Sequence, residues 1–159
     1  DQPRSRGLGD VYKRQTSDLA RARQTGAVLA EHVGVAPEVD RRFDEQSFGD
    51  WDGVSIGEIL DGPDAAALAT MRVDSGYARP GGETHAEMTA RVLEAYTEAV
   101  APGGTVVVVC HRKPIMAMLG HVLGLPLEAQ WRLAADPGSV NGIDAWSDGT
   151  SVVAFTNRT

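Results

Sequence analysis

The first position at which chemistry is expected is His111. It directly follows Val106–Val109 and Cys110, an apolar run that reads as a buried strand, and Pro114 stands where a helix would begin. In open parallel sheets, ligands gather at the carboxyl ends of strands. An imidazole there can act as acid or base, or hold a phosphoryl oxygen; it can equally be a capping or core histidine. Arg21 and Arg23 carry guanidinium forks that match phosphate oxygens. They face different ways on a helix, so at most one reaches a shared pocket. Glu45 lies in a glycine- and aromatic-rich stretch and suits a general acid that protonates a leaving alkoxide. Asp44, Asp50 and Asp52 compete with it. Glu83 follows two glycines ahead of a helix and reads either as part of a substrate loop or as a turn-former.

Other chemistries find less support. A cysteine phosphatase loop needs an arginine six positions past its cysteine; six past Cys110 stands Met116. Cys110 therefore reads as a small buried residue closing the strand. There is no Gly-x-x-x-x-Gly-Lys loop. His32, His85, His111 and His121 show no compact ligand spacing, so neither a metal nor a cofactor is expected.

These side chains need elements to hold them. Residues 17–33 read as a helix capped by Ser17 or Asp18, with Ala22, Gly26 and Ala30 in a small-residue stripe. Residues 35–39 suggest a short strand, and 41–57 an ordered loop. Gly62-Pro63 interrupts the next stretch, and a helix is expected only from about Asp64 as its cap. Short helices over 58–79 would then make a cap over the site. Thr84 with Glu87 forms a capping box ahead of a stripe through Met88, Val92, Ala95, Tyr96 and Val100. A strand over 106–109 leads to a helix ending near Leu123. Residues 139–147 and 151–156 form a hairpin about Asp148-Gly149. The alternation predicts an α/β three-layer sandwich with a mostly parallel central sheet and a C-terminal β-hairpin.

With 159 residues, 42% apolar and 23% charged, the chain suits one domain with a real core. A net charge of −7 argues against a nucleic-acid partner. No apolar run is long enough for a membrane span, and a cytoplasmic location is expected. One cysteine excludes an intrachain disulfide. Residues 1–15 carry no period; their GDVYKRQ string resembles translated junction sequence. They are expected to be non-native or disordered, leaving 16–159 as the domain.

Four motifs in order resemble the histidine phosphatase, or phosphoglycerate-mutase-like, superfamily. Ser17–Thr25 is similar to its S-x-L-x-R-A-x-x-T helix start, and Glu45–Gly53 to its E-x-x-F-G-x-W-x-G loop. Gly81–Thr84 is similar to its G-G-E-S segment, and Val106–His111 to the strand ending in its second active-site histidine. The resemblance implies that Arg21 clamps phosphate and Arg23 does not. It implies that Glu45 donates the leaving-group proton and that His111 bonds the transferred phosphoryl group. Arg112 stands where a glycine is usual and becomes a candidate phosphate ligand. The implied activity is hydrolysis of a small phosphorylated metabolite through a phosphohistidine. Mutase-like phosphotransfer and non-catalytic phospholigand binding are the alternatives. The family opens with a strand ending Arg-His-Gly, which this sequence lacks, and His32 sits too late in its helix to serve. That departure implies a truncated chain without its first, central strand or its nucleophile, and therefore inactive.

Overall fold

The computed structural model describes residues 11–159. Strand β1 (Val11–Thr16) runs parallel to both neighbours, β2 (Glu38–Val39) on one side and β3 (Thr105–Val109) on the other. Strands β4 (Val140–Ala145) and β5 (Ser151–Arg158) form an antiparallel hairpin as a separate two-stranded sheet. The fold is thus mixed α/β with a parallel sheet and a C-terminal hairpin. Among the described residues no helix is long and apolar enough to cross a membrane.

Among the described residues the middle place in the parallel sheet is taken by β1. Residues 11–15, expected to lie outside the fold, make most of that strand. Residues 1–10 lie outside the described residues. The strand has one anomaly: Arg14 is 2% exposed, and none of its guanidinium nitrogens has a hydrogen-bond partner among the described residues.

Helix α1 (Ala20–Val33) lays Ala22 and Gly26 against the sheet. A Cβ on Gly26 would sit in ordinary contact with Thr16, so the small-residue stripe sets the close approach. The helix begins later than expected. Its cap is Leu19, with no side-chain capping bond, because Ser17 and Asp18 are used elsewhere. Helix α2 (Ile56–Asp61) was not expected. Its signal is a capping box between Ser55 and Glu58, inside a stretch whose glycines suggested only loop. Helix α3 (Ala65–Val73) starts after Asp64 as anticipated, yet Asp64 does not cap it. The Asp64 carboxylate instead accepts from Trp51 Nε1 (3.1 Å) and Arg79 Nη2 (2.9 Å).

Helix α4 (His85–Val100) has the expected Thr84–Glu87 capping box and buries Met88, Val92, Ala95 and Tyr96. Helix α5 (Arg112–Val122) starts directly after His111 and buries Met116, Ala117, Met118 and Leu119. Phe43, Met88, Val92, Ala95, Tyr96, Ala117 and Met118 form the core cluster, which Val108, Cys110 and Ile143 join from the strands. The valines of β3 are only partly buried, not covered on both faces as their composition suggested. Among the described residues β3 pairs with β1 alone, and no ladder joins it to the hairpin.

Candidate active site

The site forms where β1 and β3 end side by side. Their last paired residues are Thr16 and Val109, and Ser17 N donates to Val109 O at 3.0 Å. This register brings Ser17 and His111 together across the strand ends. His111 is 7% exposed. Its Nδ1 accepts from Arg21 Nε (3.2 Å), and its Nε2 lies 2.7 Å from Ser17 Oγ. The Ser17 hydroxyl donates to Asp44 Oδ1 at 2.7 Å, and Asp18 N donates to the same oxygen. The directions agree only if Nδ1 is the acceptor and Nε2 carries the proton, which assigns the neutral Nε2–H tautomer. Burial, with the Arg21 charge beside it, pushes the His111 pKa down to about 4, against the pull of Asp44.

Arg21 and Arg23 part company as their spacing requires. Arg23 Nη1 pairs with Asp18 (3.0 Å), which also holds Arg41. Arg21 turns to His111, and its Nη1 and Nη2 make no hydrogen bond to the described residues. Glu45 approaches from the other side. Its Oε1 accepts from its neighbour Gln46 N (2.9 Å) and from Lys113 N in the first turn of α5 (3.2 Å). Burial raises the Glu45 pKa above the ordinary carboxylate range, although these two amides, Lys113 and Arg21 oppose the shift. Burial lowers the pKa of Lys113. Arg112 is exposed in the same turn.

Glu83 does not face this cluster. It forms a two-oxygen ion pair with Arg91 of α4 and accepts from Ser47 N (3.0 Å). Arg91 Nη1 then donates to the carbonyls of Arg42 (2.8 Å) and Asp44 (2.9 Å), and Nη2 to that of Glu45 (3.2 Å). Glu83 and Arg91 are therefore positioning residues that hold the segment bearing Asp44 and Glu45. The Glu83 carboxylate is engaged in this tie rather than lining the cavity beside Glu45.

A cavity of about 460 Å³ opens beside Glu45. The 48–59 segment, α3 and the 127–131 turn supply its walls, and Arg72, Arg112 and Lys113 its cations. Short helices do cover the site, as the sequence suggested. Sequence reasoning missed Ser17, taken as a cap, and Arg91, whose place on the polar side of an amphipathic helix carried no signal. It named Asp44 only as a competitor of Glu45. His32 is exposed on α1, with Nδ1 2.9 Å from Val28 O. Among the described residues no group of histidine, cysteine and carboxylate side chains is arranged to hold a metal.

A guanidinium, a buried imidazole and a carboxyl whose pKa burial raises thus come together at the parallel strand ends of an α/β fold. Comparison with known proteins gives the family. The histidine phosphatase superfamily (branch 1) matches residues 5–158, and the chain belongs to it. It is 33% identical over 136 residues to the glucosyl-3-phosphoglycerate phosphatase of Mycobacterium tuberculosis, covering 79% of this chain and 60% of that protein. It is 31% identical over 123 residues to a 2,3-bisphosphoglycerate-dependent phosphoglycerate mutase of Methylobacterium radiotolerans, covering 72% of this chain and 57% of that one. Among solved structures, mycobacterial glucosyl-3-phosphoglycerate phosphatase with VO3 superposes with a TM-score of 0.81 at 30% identity, covering 96% of this chain and 80% of that one.

These matches correct the expectation of an N-terminally truncated, inactive fragment. The family match starts at residue 5, ahead of Thr16, and the superposition takes in nearly the whole chain. The chain spans about 60% of the length of the curated phosphatases it matches. Arg21 contacts His111 and its charge also acts on Glu45, while His85 lines the cavity beside Glu45.

Proposed function

We propose that this chain processes small phosphorylated metabolites in the cytoplasm as a phosphatase of the phosphoglycerate-mutase-like kind, on a three-layer α/β frame. The observation that carries the reading is the convergence of Arg21, His111 and Glu45 at the ends of β1 and β3. The two free Nη groups of Arg21 take phosphoryl oxygens bidentately. Arg112 adds a second cation from the start of α5. His111 would supply a hydrogen bond by turning its Nε2–H from Ser17 Oγ to one of those oxygens, a bond that gains value as charge builds on them. As the P–O bond to the alcohol breaks, Glu45 gives its proton to the departing oxygen. Its raised pKa keeps that proton available. The phosphoryl group passes to water, or to a second hydroxyl in a mutase-like transfer.

A second reading, phospholigand binding without turnover, is favoured by one observation. Both ring nitrogens of His111 are engaged within the protein. Phosphate release from p-nitrophenyl phosphate, run beside calorimetric binding of inorganic phosphate, separates the two. Turnover that His111→Ala removes supports the phosphatase. Phosphate binding without turnover supports the binder. Absence of both sinks the phosphate site.

A further inference from the structure

Lys113 is a cation in surroundings that oppose its charge. Of the fifteen lysine and arginine side chains, only Lys13 and Lys113 are lysines. Lys13 pairs with Glu38 at 3.9 Å. Lys113 is partly buried; its backbone amide donates to Glu45 Oε1 at 3.2 Å, but among the described residues its ammonium has no hydrogen bond or ion pair. It stands in the first turn of α5, which holds no acidic residue and where the helix dipole disfavours a positive charge. Phe48, Trp51 and Trp131 line the same cavity and strip water from it. Burial, opposed by Glu45 and reinforced by the like charges of Arg112 and Arg72, lowers the Lys113 pKa.

An arginine in this place would keep its proton, whereas a lysine can shed it. A lysine desolvated beside other cations is a nucleophilic amine, and its characteristic target is a carbonyl carbon. The phosphatase step described above makes no use of it. Its neighbours suit carbonyl chemistry. Glu45 lies beside it and holds a proton to higher pH than a free carboxyl does. His85, which lines the same cavity, feels the Lys113 charge; burial keeps it neutral, and its Nε2 lies 3.0 Å from Gln130 Oε1. Glu128 completes the charged lining and accepts from Ser75 at 2.7 Å. One cavity thus brings together an amine, a proton donor and the guanidinium of Arg112.

We infer that Lys113 is a covalent capture site for phosphorylated aldehydes. Its neutral Nζ attacks the carbonyl carbon, a C–N bond forms, and the carbonyl electron pair moves to oxygen. The nitrogen loses a proton and the oxygen gains one, which gives a carbinolamine. Glu45 then gives its proton to the hydroxyl, water departs, and the nitrogen lone pair closes the C=N bond. A protonated imine is left opposite the Glu45 carboxylate, and nothing is oxidised or reduced. The inference rests on the phosphate-site reading above, because Arg21 and Arg112 hold the phosphate of such a ligand.

The test treats the full chain with pyridoxal 5′-phosphate or pyridoxal in the presence of sodium cyanoborohydride, which reduces an imine to a stable secondary amine. Peptide mass mapping then locates the modified lysine, with Lys13 as the internal reference. The phosphorylated aldehyde is expected to modify Lys113 at least about tenfold faster than Lys13, and at least about tenfold faster than pyridoxal does. Excess inorganic phosphate should protect Lys113 and leave Lys13 unprotected. The rate at Lys113 should level off at lower pH than the rate at Lys13. Lys113→Arg, which keeps the charge, should abolish modification at this site and leave Lys13 reacting as before. Equal rates at the two lysines, or one pH profile for both, overturn the capture site; calorimetric binding of inorganic phosphate then shows the phosphate site standing without it. If pyridoxal modifies Lys113 as fast as its phosphate and inorganic phosphate protects nothing, the phosphorylated class is overturned and the phosphate-site reading fails with it.

Discussion

At the scale of single residues, burial sets the protonation of the two groups that matter most. Glu45 keeps its proton to higher pH than a free glutamic acid, so the donor form is lost only as pH rises through the raised value. Activity is therefore expected to fall on the alkaline side of that value. Glu45→Gln should remove this limb and slow hydrolysis of alkyl phosphates by about 10²–10⁴-fold. The loss should be far smaller for p-nitrophenyl phosphate, whose leaving group needs no proton. Equal losses on both substrates would show that Glu45 is not the donor. His111 makes a prediction about stability. Its folded pKa is about 4 against an ordinary 6.5. Above pH 6.5 the imidazole is neutral in both states and contributes nothing. Between 6.5 and 4 the unfolded chain takes a proton that the folded one refuses, and stability drains away, by roughly 3 kcal/mol in all. His85, lowered mainly by burial, acts in the same direction, and the raised Glu45 acts against both. Urea midpoints across this range should flatten in His111→Gln; an unchanged slope would deny the buried neutral imidazole.

At the scale of elements, the site depends on a loop that has little regular structure. Arg91 of α4 fixes three successive stretches of it by donating to the carbonyls of Arg42, Asp44 and Glu45 while pairing with Glu83. Arg91→Leu leaves those carbonyls and the Glu83 carboxylate unpaired, and should cost about 1–3 kcal/mol in chemical denaturation. It should also lower kcat more than it raises KM, because Glu45 loses its aim. A variant of wild-type stability and kcat would refute the role. This is also where the sequence was hardest to read. Helix α4 was legible because its capping box and apolar stripe are local patterns. Helix α2 was not, because six residues give too little periodicity to outweigh the glycines around them. Ser17 and Asp18 looked like caps because such residues usually are. Their real partners, His111, Asp44, Arg23 and Arg41, are mostly distant in sequence. Arg21 and His111 were visible through motif and position; the Ser17 link from His111 to Asp44 exists only once β1 and β3 are in register.

At the scale of the whole molecule, β1 is the element on which the parallel sheet is assembled, and its weak point is Arg14. A guanidinium that is 2% exposed has lost its water, and among the described residues it gains no hydrogen-bond partner in return. Arg14→Leu should therefore raise the stability of the protein by about 1–4 kcal/mol in urea. A lower midpoint would mean that Arg14 has a partner it needs. Residues 11–15 were misjudged from sequence for the same reason. Lys13, Arg14 and Gln15 carry no strand pattern, and what makes them a strand is the ladder to β3.

The crossing of two loops has one further consequence. Gly49 has φ of 57°, and a Cβ there would strike the carbonyl of Pro80 and the amide of Gly82. At Gly82 a Cβ would lie 2.9 Å from Ser47 O. Two backbones touch here with nothing between them, stitched by Asp50 N to Pro80 O and Glu83 N to Ser47 O. Such a joint has no side chain that can rotate to absorb a displacement. The apolar wall at Phe48 and Trp51 and the Glu83–Arg91 tie must move as one body. A probe bound against that wall should therefore slow deuterium uptake at the amides of Asp50 and Glu83 together, although Glu83 does not line the cavity. Protection at Asp50 with unchanged exchange at Glu83 would show that the two loops slide past each other.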